Sequence, residues 1–168
     1  FMGHHIPRLL DMDEVKIVGL ADPSPDSIAR MKERFPGVAD VPEFSSHRDL
    51  LREAIPDAVE IASPHSFHFE HIVDALNAGC NVLTEKPLVC TPAEGEDVLV
   101  CRDRAGKILL VSYQRHYVSI YRYIREQIAS GAIGRIQFVT GLQNHGWYWE
   151  QRGQWRQDPK FSGGGQLI

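Results

Sequence analysis

Cysteine is scarce in this chain. Only Cys80, Cys90 and Cys101 occur, an odd number with no Cys-x-x-Cys pair. This argues against a disulfide framework or a zinc ribbon, and it fits a reducing compartment, so a cytoplasmic location is expected. A basic excess is also missing: 18 Lys and Arg stand against 22 Asp and Glu, a net charge of −4. That balance leaves no nucleic-acid footprint. Long apolar runs are absent. Stretches such as Ile108-Leu109-Leu110-Val111 fall far short of the ~20 residues of a membrane helix, so no membrane partner is expected. Lysine is rare, with five against thirteen arginines. There is no internal repeat and no low-complexity segment.

The remaining composition is that of an ordinary globular protein. With 168 residues, 43% hydrophobic and 24% charged, the chain suits one domain, or one domain and part of another, with a core that needs no staples. Charge divides along it. Residues 1–110 carry 11 basic and 19 acidic groups, and residues 111–168 carry 7 and 3. A basic C-terminal part suits an anionic or polyhydroxylated small molecule, and equally a solvated face. Phe1 is not a normal initiator, so the native N-terminus is expected to lie further upstream.

Strand-like and helix-like runs alternate as far as residue 112. Val15–Ala21 and Ala58–Ala62 read as buried strands. Ser24-Pro25-Asp26 starts a helix that Pro36-Gly37 stops, and Ser46 caps a shorter one over Asp49–Glu53. Phe69, Ile72, Val73 and Leu76 form a helical stripe that Gly79 ends. Asn81–Thr84 is a strand, Thr91-Pro92-Ala93-Glu94 a capping box opening a helix to Gly106, and Ile108–Ser112 a further strand. Such alternation means βαβ units and a mainly parallel sheet. After Tyr113 the rhythm changes: a helix over Val118–Ser130, a strand over Arg135–Leu142, then an aromatic and polar loop over 144–162. Two domains are expected, 1–112 and 113–168.

Several residues carry chemistry in this frame. Gly3 opens a helix over roughly 3–11, and Asp22 ends the next strand. In a dinucleotide-binding unit a glycine turn meets the pyrophosphate, and an acid after the second strand takes the ribose hydroxyls. Alternatively Gly3 is a packing glycine and Asp22 a turn-former before Pro23. Glu85-Lys86-Pro87 lies at a strand's C-terminal end, where ligands of parallel sheets bind. Flanked by Val82, Leu83 and Leu88, Lys86 reads as a half-buried ammonium suited to proton transfer or to donating to a developing alkoxide, or else as a strand-end ion pair. Ser63-Pro64 occupies the corresponding place after the preceding strand. His65, His68 and His71 lack metal-motif spacing, so no metal is expected. Gln114-Arg115-His116-Tyr117 and Trp155-Arg156 would line a cleft between the two parts. Gly163-Gly164-Gly165 suggests backbone near a ligand at a helix start. Trp147-Tyr148-Trp149 reads as interface or core rather than a sugar platform.

Together these residues resemble the glucose–fructose oxidoreductase, inositol dehydrogenase and rhizopine-catabolism family, written Gfo/Idh/MocA. The resemblance rests on Met2-Gly3, Ala21-Asp22-Pro23, Ser63-Pro64 with His68, Gly79 through Glu85-Lys86-Pro87-Leu88, Gln114-Arg115, Ser130–Gly134, and Trp155-Arg156 with Gly163–Gly165. It implies an α/β Rossmann-type doubly wound parallel sheet, then the start of an α+β domain with an open antiparallel sheet. It implies an NAD(P)-dependent oxidoreductase acting on a sugar, cyclitol or related polyol, and a homo-oligomer when intact. By carry-over, Met2, Gly3, Asp22, Ser63, Pro64, His68, Glu85, Lys86 and Arg115 bind the cofactor. Lys86, Trp155 and Arg156 face the substrate, with Lys86 catalytic. The acid at Asp22 fits NAD better than NADP. The resemblance also implies a first strand with Gly-x-Gly upstream and an Asp/His pair downstream, so the chain is expected to be a fragment inactive by itself. The alternative is a dinucleotide-binding regulator of the same fold without chemistry.

Overall fold

The computed structural model describes residues 2–142 and 146–164, apart from the side chains of Met2, Trp147 and Tyr148. Local sequence sets most helix ends. Helix α1 spans Met2–Leu10. Helix α2 (Pro25–Arg34) starts at Ser24, whose Oγ accepts from the Ser27 amide at 3.4 Å. Pro25 takes its first position, and Lys32 and Arg34 complement the dipole in its last turn. Ser46 caps α3 (His47–Ala54) by accepting from the Asp49 amide at 3.1 Å. Helix α4 covers His68–Asn77, with Gly79 following at φ +85°. Helix α5 (Pro92–Ala105) has a complete capping box. The Glu94 amide donates to Thr91 Oγ1 at 3.2 Å, and the Thr91 amide to Glu94 Oε2 at 2.9 Å. Gly106, at φ +63°, closes it.

The strands are β1 (Leu20–Ala21), β2 (Glu43–Phe44), β3 (Ala58–Ile61), β4 (Asn81–Thr84) and β5 (Leu109–Val111). Every ladder is parallel. β1 pairs with β2, and the other three form a sheet in the order β3-β4-β5, with Val59 opposite Val82 and Val82 opposite Leu109. Helices α4 and α5 are the crossovers that parallel pairing requires. They bury Ile72, Ala75, Leu76, Val98 and Cys101 against Ile61 and Val82 of the sheet and Cys80. Each large aliphatic buried this way contributes ~1.5–3 kcal/mol. Helix α1 touches both sheets' surroundings. His5 meets β3, and Leu10 packs so closely on Gly37 that a Cβ there would lie 2.8 Å from Leu10 Cδ1.

Three expectations need correction. The strand expected over 15–21 is only Leu20–Ala21, because its sole ladder partner among the described residues is the two-residue β2. No strand forms over 135–142: this segment is exposed throughout, and none of the described residues offers it a ladder. The loop expected at 144–162 contains short helices α7 (Trp147–Glu150) and α8 (Pro159–Ser162), with a helical turn at Trp155–Gln157. Helix α6 (Ser119–Ala129) forms as expected, but Tyr121, Ile124 and Ile128 stand exposed. Among the described residues, no helix is long and apolar enough to cross a membrane.

Candidate active site

The C-terminal strand ends carry the candidate residues. The Glu85 amide donates to Ile61 O at 2.8 Å, and the Ser112 amide to Thr84 O at 2.8 Å, so the ladder holds the exits of β3, β4 and β5 side by side. Beyond them lie Ser63-Pro64 and Glu85-Lys86-Pro87, the latter with a cis Lys86-Pro87 peptide. Glu85 is buried, and its Oε2 accepts from the Lys86 amide at 3.2 Å. Lys86 itself is exposed, which corrects the half-buried reading. Thr84 and Glu85 turn inward at the strand end, and Lys86 is the first residue to face out.

Around it the structure gathers other predicted residues. His65 Nδ1 faces Ser162 O at 2.9 Å, and the His65 ring meets Trp155 edge-on at 4.9 Å. The Arg156 guanidinium stacks 4.3 Å from the Trp155 ring and donates to Gln151 Oε1 at 3.1 Å. Burial draws the Arg156 guanidinium below its usual range, and the charge of Glu85 opposes this. Burial likewise lowers His65, against the pull of its Ser162 bond, with the charges of His68, Lys86 and Arg156 adding to the effect. Lys86, Glu85, His65, Trp155 and Arg156 thus form one electrostatic neighbourhood. Gly163 closes α8 in the left-handed region at φ +65°, and any Cβ there would collide with Cys90 Sγ. Gly163 therefore ends α8, and the helix start expected after the three glycines falls outside the described residues. Gly165 and residues 166–168 lie outside the described residues, as do the rings of Trp147 and Tyr148; Trp149 is exposed.

Asp22 follows β1. Its Oδ1 accepts from the Ser24 amide at 2.8 Å, and its own amide donates to Phe44 O at 3.2 Å, so the turn-forming role is realised. Gly3 lies on the first turn of α1, where a Cβ would come 2.9 Å from Arg34 Nη1. A guanidinium at a helix N-terminus suits an anion. One carry-over changes place. His68 is fully buried, with both ring nitrogens on main-chain carbonyls, and offers no surface to a ligand. Arg115, on the helical turn Gln114–Tyr117, lines a shallow cavity of about 150 Å³ with His116, Tyr121 and Arg125.

Other residues at the site were not read from the sequence. His5 Nδ1 pairs with Glu60 Oε1, and His5 Nε2 lies 3.4 Å from Glu85 Oε1. Glu60 is a carboxylate inside an apolar strand, a signal visible in Ala58–Ala62. Apart from that ion pair its buried oxygens have no hydrogen-bond partner. Burial raises its pKa, His5 opposes this, and Glu85 adds to it. Ser63 Oγ lies 3.0 Å from His71 Nδ1. Burial first, then nearby His47 and His68, lower His71 to about 4. His47, Glu70 and Asp74 bring possible metal ligands within 4.8 Å of one another. The Arg48 guanidinium bridges that group, 2.6 Å from Glu70 and 2.8 Å from Asp74.

Parallel strands joined by helices, with polar residues at the strand exits, define a nucleotide-binding α/β architecture of the Rossmann type. The sequence model of the Gfo/Idh/MocA oxidoreductase family, NAD-binding Rossmann fold, matches residues 1–113, and the chain belongs to that family. It is 29% identical over 136 residues to D-glucoside 3-dehydrogenase of Escherichia coli (strain K12), covering 81% of this chain and 38% of that protein. It is 33% identical over 137 residues to 1-carboxy-3-chloro-3,4-dihydroxycyclo hexa-1,5-diene dehydrogenase of Comamonas testosteroni, covering 82% and 34%. The structure of scyllo-inositol dehydrogenase from Lactobacillus casei with bound NAD(H) and scyllo-inositol superposes with a TM-score of 0.71 at 27% identity, covering 80% of this chain and 39% of that one. The chain therefore spans between a third and two fifths of these relatives' length.

Proposed function

We propose that this chain forms the cofactor-binding part of an NAD-dependent dehydrogenase or reductase acting on a CH–OH group of a sugar, cyclitol or related polyol. The observation that carries the reading is exposed Lys86 at the exit of β4, next to buried Glu85 and within the electrostatic neighbourhood of His65 and Arg156. The residues present fit a dinucleotide. Gly3 brings the start of α1 against a guanidinium, and Asp22 stands after β1 where ribose hydroxyls are taken. A carboxylate there repels a 2′-phosphate, which favours NAD over NADP.

When bound, the nicotinamide supplies hydride chemistry. The chain's own residues bind and orient. Asp22 accepts from hydroxyls, and Gly3 lets the Arg34 guanidinium approach the helix start, where it would meet a phosphate. Lys86 donates to the substrate hydroxyl oxygen and holds that oxygen as negative charge develops on it. Glu85 fixes the Lys86 main chain from below. Arg156, stacked on Trp155, presents a cation and an aromatic face to a polyhydroxylated ligand.

The test is Lys86→Met in the full-length protein. Turnover is expected to fall by about 10²-fold or more, with NAD affinity little changed. Unaltered turnover removes Lys86 from the reaction. Tight NAD binding with no turnover of any polyol favours the regulator reading instead.

A further inference from the structure

We propose that His68 is a positioning residue for the reacting end of this site. Its ring fastens the turn after β3 to the turn after β4, and so fixes where Lys86 stands relative to Ser63-Pro64. The inference rests on the reading of Lys86 given above.

The geometry is specific. The His68 ring is 0% exposed. Its Nδ1 faces Pro87 O at 2.8 Å, and its Nε2 faces Ser63 O at 3.0 Å. Both partners are main-chain carbonyls, and they belong to different strand exits. The last ladder bond between these strands is the Glu85 amide to Ile61 O, at 2.8 Å. Past that point the two segments have no ladder to hold them. Pro64 and Pro87 also lack an N–H, so neither position can donate across the gap. The imidazole supplies the missing donor. A neutral ring serves one carbonyl by donation, and a doubly protonated ring serves both.

The connection to Lys86 is short. Pro87 follows Lys86 directly, so a fixed Pro87 carbonyl leaves the Lys86 main chain little freedom. On its other side Lys86 is held through its amide by Glu85 Oε2. His68 also meets the substrate side: the His65 ring lies edge-on at 5.7 Å from it, and His65 holds Ser162 O. Without the imidazole, the two part-buried carbonyls would lose the ring that faces them both, and the two exits would be free to drift apart. A misplacement of ~1 Å at a reacting group costs rate rather than affinity.

The test uses the full-length protein with NAD and a polyol that it turns over. His68→Leu is expected to lower kcat by about tenfold or more, with the KM for NAD within about threefold of wild type. His68→Gln, whose amide can donate to one carbonyl, is expected to recover part of the loss, and it carries the same comparison if the leucine variant does not fold. Val98→Ala, a core truncation on α5, lowers the melting temperature and should leave kcat within about twofold. In a Lys86→Met background, His68→Leu should cost less than about twofold further, because the group it positions is gone. An undiminished kcat in folded His68→Leu or His68→Gln overturns the proposal, as does an equal, multiplicative loss in the Lys86→Met background. Full turnover by Lys86→Met alone is a separate failure, that of the functional reading, and is seen without any His68 variant. The wild type gives an independent check: a buried N–H on a carbonyl exchanges slowly with solvent, and a rapidly exchanging His68 ring would contradict the clamp.

Discussion

Acid should weaken this fold through His71, and the size of the effect follows from where the ring sits. The ring is half-buried, stacked 5.9 Å from Phe67 and tilted 4.2 Å from His47, with its Nδ1 3.0 Å from the Ser63 hydroxyl oxygen. Burial first, and the neighbouring His47 and His68, bring it from the ordinary 6.5 to about 4, while Asp74 pulls the other way. The unfolded chain takes up a proton near 6.5 and the folded one only near 4. The folded pKa is depressed, so the stabilisation is full above about pH 6.5 and is lost as pH falls toward about 4. A shift of this size is worth about 3 kcal/mol at most, and solvent access to the ring reduces that to about 1–2 kcal/mol. The assay is urea unfolding between pH 7.5 and 4.5 for wild type and His71→Phe. Phenylalanine keeps the stack on Phe67 and removes the titration. Its baseline is lower because Ser63 loses its ring partner, so the slope with pH is the quantity compared. Above pH 4.5 Asp49 and Asp74, both held below the usual carboxylate range, stay ionised and do not confuse the window. The wild type should lose about 1–2 kcal/mol more than the variant across it. Equal slopes would refute the reasoning.

Other consequences are local. Thr91→Ala removes the Oγ1 that accepts from the Glu94 amide at the start of α5 and should cost ~1 kcal/mol in urea unfolding; a change under a few tenths would mean that this cap carries nothing. Gly163→Ala meets both a left-handed backbone and Cys90 Sγ, so α8 should loosen. Amide exchange over 159–163 should then rise while β3–β5 stays protected, and unchanged exchange would contradict the packing. Asp22→Ala should weaken NAD more than NADP in a fluorescence titration, and a wild type that already prefers NADP overturns the ribose assignment.

Features decided within a few residues were legible in the sequence. The Ser24, Ser46 and Thr91 caps and the Gly106 stop act over one helical turn, and they appear where the local pattern puts them. Strand length was not legible, because a ladder needs a partner that local sequence does not name. Hence Val15–Ala21 contracts to Leu20–Ala21, and the short β2 went unread. That Gly163 ends a helix was not legible either, because α8 is a single turn with Asp158 as its cap. The Lys86 neighbours are apolar, yet alternation breaks at the strand exit, where Thr84 and Glu85 are both buried, so flanking hydrophobicity did not report its exposure. His68 shows the same limit. Its partners are five and nineteen residues away in sequence, and only the fold brings two carbonyls to one ring.

The most direct test of the account is to follow the hydrogen itself. The full-length protein, incubated with NAD and a polyol deuterated at its carbinol carbon, should yield reduced nicotinamide carrying one deuteron by mass spectrometry, and Lys86→Met should slow that transfer by about 10²-fold or more. Tight NAD binding with no deuterium reaching the nicotinamide from any polyol would contradict it.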